Sequence, residues 1–130
     1  MNPLFERYFA LIESFCTNPA DFETVLHPEF TQTEYPNAIT PRTAVNGLLD
    51  VVAGAVRGKA LLSSQKIEVI NLIEQGDQVV IEAHWQGTVE HPKGPFRTGQ
   101  VIEAWLCMVF VLKEGKIWQQ RNYDCYPSFS

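Results

Sequence analysis

GKIWQQRNYDCYP, residues 115–127, reads as a strand that carries the wrong residues for a core. Glu114-Gly115 is a tight-turn signal, and the side chains after it alternate. Trp118, Gln120, Asn122 and Asp124 are expected on one face, with Gln119, Arg121, Tyr123 and Cys125 on the other. Where an apolar stripe should meet a core, one face offers an acid and two amides. Away from solvent such groups need hydrogen-bond partners, water or a ligand. That face is where chemistry is expected.

Outward from this stretch, the pattern fills in as hairpins. Val101 to Leu112 is apolar on both parities and enters the final strand through Lys113-Glu114-Gly115. Leu62 to Ile73 and Val79 to Val89 alternate on either side of a Gly76-Asp77 turn, and His91 to Gly99, with two prolines and two glycines, is a loop. Towards the N-terminus the period becomes helical. Leu4, Phe5, Tyr8, Phe9, Ile12 and Phe15 mark a first helix ending near Asn18. Asn18-Pro19 opens a short second helix that runs through Phe22, Val25 and Leu26 to Pro28, and Phe30 to Glu34 alternates as a short strand. Thr40-Pro41 opens a third helix, marked by Val45, Leu48, Leu49, Val52 and Val56 and ending near Gly58. Helices followed by hairpin-linked strands predict an α+β fold in one domain, 1–130. Three N-terminal helices should pack on a curved, mainly antiparallel sheet, a cone enclosing a pocket.

Composition narrows the partners. A formal charge of −5 without a Lys/Arg cluster argues against nucleic acid. The longest apolar run, Ala104 to Leu112, is about half of a membrane-spanning helix, so no membrane is expected. MNPLFERYF lacks a basic segment followed by an apolar one, which makes cytoplasmic residence the default. Cys16, Cys107 and Cys125 fit neither a disulfide framework nor a zinc spacing, so no metal and no cofactor are expected.

The pieces in order are ERYFALI in the first helix, LHPEF before the first strand and EYP after it, TPRTAV, GDQVVIEAHWQGTV, FVLKEGKI and RNYDCYP. Together they resemble the nuclear transport factor 2-like superfamily, in its SnoaL-like and steroid-isomerase-like branch, over nearly the whole chain. The resemblance implies a cone fold, a homodimer and a set of site positions. Tyr8 is similar to the tyrosine that donates to the substrate oxygen in steroid isomerases, and Glu34 in TEYP stands where their aspartate base stands. Their second oxyanion acid has no counterpart, because Met108 stands before Phe110. In the epoxide-hydrolase branch the matching positions are Ala83, Trp85 and Asn122, which lack the required carboxylates. Polyketide-cyclase relatives place an acid at the position of Asn122, whereas this chain has its acid two residues on, at Asp124.

The candidate catalytic residues are therefore Tyr8, Glu34 and Asp124, and the candidate pocket residues are Gln32, Ala83, Trp85, Met108, Gln120 and Asn122. Plain alternatives stand beside them: Glu34 as a solvated rim residue, Asp124 capping a neighbouring backbone N–H or paired with Arg42 or Arg97, and Tyr8 as a core aromatic. His84 is expected outward, and His27 at a helix end. The Pro92 to Pro95 loop either caps the pocket or merely joins two strands. Trp105, Val109 and Tyr123 lie on the parity away from the pocket, and so much apolar surface predicts a homodimer through the outer sheet face. Two functions fit. One is a cofactor-free proton-transfer enzyme (isomerase, cyclase or lyase) acting on a small apolar carbonyl- or enol-bearing molecule. The other is a non-catalytic ligand-binding or dimerisation module, in the last case with Trp85, Met108 and Phe110 filling the cavity.

Overall fold

A computed structural model describes residues 1–92 and 94–127. Lys93, inside the Pro92 to Pro95 loop, lies outside the described residues. The first helix, α1, spans Pro3–Glu13, and its N-cap Asn2 accepts a hydrogen bond from the Leu4 N–H. It buries Phe5, Tyr8 and Phe9 at helical spacing. The helix stops short of Asn18 because Phe15 adopts φ 55°, and the Cys16 N–H returns to the Leu11 carbonyl in a left-handed helix ending. Phe15 thereby joins the apolar cluster around Leu62, Val89 and Ile102.

Asn18 caps α2 by accepting from the Ala20 N–H, yet α2 is a single turn, Pro19–Phe22. The expected run to Pro28 is replaced by strand β1, Leu26–Glu34. Pro28 fits within β1 because the register to the neighbouring strand breaks between Leu26 and Thr31, where no ladder N–H is required. His27 therefore lies in a strand, not at a helix end. It is buried, and its Nδ1 accepts the Glu29 N–H. The next expectation also fails. Thr40 donates its N–H to the Asn37 side chain in a turn, Ala44–Asn46 pairs with β1 as edge strand β2, and helix α3 begins only at Leu48 and runs to Leu61. Its start is set by Asp50, whose carboxylate accepts the Gly47 N–H at 2.8 Å. The helices are thus not one N-terminal group, since β1 and β2 separate α2 from α3.

Four long strands follow: β3 (Leu62–Gln75), β4 (Gln78–Val89), β5 (Val101–Lys113) and β6 (Lys116–Cys125). The sheet order is β2-β1-β6-β5-β4-β3, antiparallel throughout except for the parallel pair β1 and β6. Glu114 and Gly115 both take positive φ, as a two-residue turn matched to strand twist requires. The register of β5 and β6 shifts between Val111 and Leu112, pairing Leu112 with Ile117 and Val111 with Gln119. Trp118 is the extra residue, so the expected face is corrected there: Ile117 enters the core and Trp118 lies under the Lys113 ammonium. Beyond the bulge, alternation resumes and Gln120 and Asn122 are buried. The core sits between α1 and the inner sheet face, with the Phe5 and Phe110 rings 4.8 Å apart. None of the α3 residues is fully buried, but Leu48, Val51 and Val52 pack half-buried against the core.

Candidate functional site

The parallel pairing of β1 and β6 builds a polar wall. Gln32 lies beside Gln120 and Glu34 beside Asn122, while Met108 and Leu106 of β5 flank Asn122 and Asp124 on the other side. Facing this wall across a cavity of about 440 Å³ are Phe9 and Ile12 of α1, Val51, Gly54 and Ala55 of α3, and Trp85 of β4. The cavity is large enough for a small organic ligand and mostly apolar in its lining. Of the three side chains expected as filling, Trp85 and Met108 line the cavity, while Phe110 is buried in the core and does not.

Tyr8, Gln32, Glu34, Trp85, Met108, Gln120 and Asn122 all reach the cavity. Ala83 does not. Its methyl group is too short to emerge between the longer side chains around it, and it stays in the core with Ile67 and Leu106 packed against that cluster. Asp124 is not itself a lining residue; Asn122, which is, donates to both of its carboxylate oxygens at 3.3 and 3.5 Å. None of the ion pairs among the described residues involves Asp124, Arg42 or Arg97.

Hydrogen bonds join the wall into one chain. The Tyr8 hydroxyl donates to Gln120 Oε1 at 2.7 Å, and Gln120 Nε2 donates to Asn122 Oδ1 at 2.8 Å. Gln32 Nε2 donates to the same oxygen at 3.2 Å. Burial pushes the Tyr8 phenol well up, against the lowering effect of its hydrogen bond to Gln120. Burial likewise lifts Asp124 from 3.8 to about 6, against the lowering effect of the Asn122 hydrogen bond and with the Glu34 charge adding to the rise. Glu34 accepts a long hydrogen bond from the Thr40 hydroxyl.

Two features of the wall were not among the sequence candidates. Gln65 accepts from Trp85 Nε1 at 2.9 Å and donates to the Ile12 carbonyl at 2.6 Å, fixing the indole at the cavity edge. The signal was available, because Gln65 is a polar residue on the parity of Ile67 and Val69. Tyr126 also lines the cavity, and burial followed by the charges of Asp124 and Glu34 raises its phenol. It follows the last strand, where no periodicity points to it. Arg57 lines the mouth, its guanidinium lying 3.6 Å from where a Cβ on Gly54 would stand.

On the opposite sheet face the His84 ring stacks on Trp105 at 4.2 Å and its Nε2 donates to the Glu103 carboxylate at 2.7 Å, while Tyr35 stacks on Tyr123. All three cysteines are free, and no group of metal-ligating side chains occurs among the described residues. No described helix is long and apolar enough to cross a membrane.

Comparison with known proteins agrees with this architecture. The profile of the SnoaL-like domain family matches residues 5–120. TsrD from Streptomyces laurentii superposes with a TM-score of 0.70 at 20% identity, over 94% of this chain and 85% of that one. IdmH from Streptomyces antibioticus, assigned as a polyketide cyclase, gives 0.74 at 13% identity over 94% and 89%. An epoxide hydrolase from M. tuberculosis gives 0.64 at 15% identity over 96% and 80%. At these identities the likeness is one of fold. No curated protein sequence matches the chain significantly.

Proposed function

Because this chain belongs to the SnoaL-like domain family, we propose that its cavity performs cofactor-free proton transfer on a small, largely apolar molecule bearing a carbonyl or enol, as an isomerase, cyclase or lyase. The observation that carries this reading is a carboxyl group held near neutrality, Asp124 at about 6, with Glu34 close enough to contribute to its rise, beside an apolar cavity. A base poised near the working pH is what proton abstraction next to a carbonyl needs. Glu34 reaches the ligand space directly. Asp124 stands one hydrogen bond behind Asn122, whose amide donates to its carboxylate, so a proton would pass between ligand and Asp124 only along that wall. The Trp85, Phe9 and Met108 side chains give the cavity an apolar lining that suits an apolar ligand.

The structural neighbours divide the chemistry further. Epoxide hydrolysis is disfavoured by Ala83, Trp85 and Asn122, which offer no carboxylates. Polyketide-cyclase relatives place an acid at the position of Asn122, and this chain carries its acid two residues on, at Asp124, one hydrogen bond behind the wall. A second reading, a non-catalytic binding protein, is favoured by the position of Asp124 behind the wall instead of on it.

We further propose a cytoplasmic homodimer through the outer sheet face, supported by Trp105 and Tyr123, which are 49% and 48% exposed on a face they share with Val109. Three free thiols suit a reducing compartment.

The enzyme reading is tested by following exchange of the α-protons of a panel of apolar cyclic ketones in D2O by proton NMR. The wild type is expected to accelerate exchange in at least one of them, and E34Q and D124N each to lower it about 100-fold or more with the fold intact. Ketones that bind without any exchange would replace catalysis with ligand binding.

A further inference from the structure

The side-chain hydrogen bonds along β6 point one way. Tyr8 gives its hydrogen to Gln120, Gln120 gives an N–H to Asn122, and Asn122 gives an N–H to Asp124, while Gln32 supports the same Asn122 oxygen from β1. The direction is not arbitrary. A primary amide can turn over, exchanging its oxygen for its nitrogen, and only its partners decide which way it faces. Tyr8 is 1% exposed, and its hydroxyl has one hydrogen. If Gln120 presented its nitrogen, that hydrogen would be left without an acceptor in the core, a loss of about 1–3 kcal/mol. At the other end an ionised Asp124 only accepts, so it too demands an N–H from Asn122. The two ends agree, and each amide has only one orientation that satisfies both neighbours.

We propose that Tyr8 is a positioning residue: its phenolic hydrogen sets the polarity of the Gln120 and Asn122 amides, so that an N–H and not a carbonyl oxygen faces Asp124. The hydroxyl cannot then polarise a ligand oxygen without breaking its bond to Gln120. The role expected for it from steroid isomerases gives way to control of the carboxyl at a distance along β6. The amide chain works against the burial that lifts Asp124 and keeps it a usable base at neutral pH. The meaning for catalysis rests on the proton-transfer reading, but the hydrogen-bond polarity does not.

The test is a carbon-13 NMR titration of the Asp124 carboxyl in wild type, Y8F, N122L and the double variant, without substrate. Glu34 on β1 and Tyr126 after β6 also bear on Asp124, Cys107 on the other parity of β5 feels its charge, and all three are common to the four proteins. Y8F is expected to free the Gln120 amide to turn over and to raise the Asp124 midpoint by about one pH unit. N122L should raise it similarly, and Y8F should add nothing on the N122L background. An unmoved midpoint in folded Y8F, or additive shifts, would overturn the proposal. If Y8F does not fold, the wild type still decides. Its Gln120 side-chain amide protons should cross-relax more strongly with Asn122 than with the Tyr8 ring, and the reverse pattern sinks the idea. Absent turnover with a moved midpoint refutes only the catalytic reading; turnover with an unmoved midpoint refutes only this one.

Discussion

Asp124 should make the folded protein less stable as the pH rises, and D124N should remove that loss. Burial, opposed by the Asn122 hydrogen bond and reinforced by Glu34, raises this carboxyl from 3.8 to about 6. The folded state therefore holds the proton more tightly than the unfolded chain does. The stabilisation is fully present below about 3.8 and is lost as the pH rises through about 6. Two pH units at about 1.4 kcal/mol each set an upper bound of about 3 kcal/mol. Solvent contact at this partly exposed carboxyl reduces the figure to about 2 kcal/mol. Asparagine keeps the shape and keeps an oxygen for the Asn122 N–H while carrying no charge to desolvate. In urea denaturation, D124N should match the wild type near pH 4, gain steadily to about pH 7 and hold a constant advantage of about 2 kcal/mol above that, a rise of roughly 6 °C in Tm. Equal stability of the two proteins at pH 8 would mean that the carboxylate is well solvated, and the case for it as a poised base would fall with that result.

Two further outcomes follow from packing. A Cβ on Gly87 would lie 2.9 Å from the Trp85 ring and 3.0 Å from Leu62 Cδ1, so G87A should displace the indole from Gln65 and cost about 1–3 kcal/mol in chemical denaturation. Unchanged stability would show that the Trp85 wall is loose. On the outer face, W105E is expected to convert a sedimenting dimer into a folded monomer at micromolar concentration. A wild type that already sediments as a monomer would remove the dimer.

The long strands were readable because their signals are local. Leu62, Val79 and Val101 were placed within a residue of the starts of β3, β4 and β5, since alternation and positive-φ turn residues are properties of neighbouring positions. The N-terminal half was harder. Strand β2 exists only because Ala44–Asn46 meets β1, a partner supplied by the fold, and the length of α1 depends on Phe15 finding its cluster beyond Glu13. Trp118 was assigned to the inner face because a bulge, invisible in the alternation, resets the parity between Leu112 and Val111.

For the site, the sequence by itself determined that one face of β6 carries Gln120, Asn122 and Asp124, because side chains two apart on a strand share a face whatever lies around them. Only the tertiary structure decided what those groups do. The parallel approach of β1 aligned Gln32 and Glu34 with them, and α1 delivered the Tyr8 hydroxyl from more than a hundred residues away. Whether a hydroxyl is committed to an amide, and how far a carboxyl is lifted, depend on distance and desolvation in space, which neither spacing nor composition encodes.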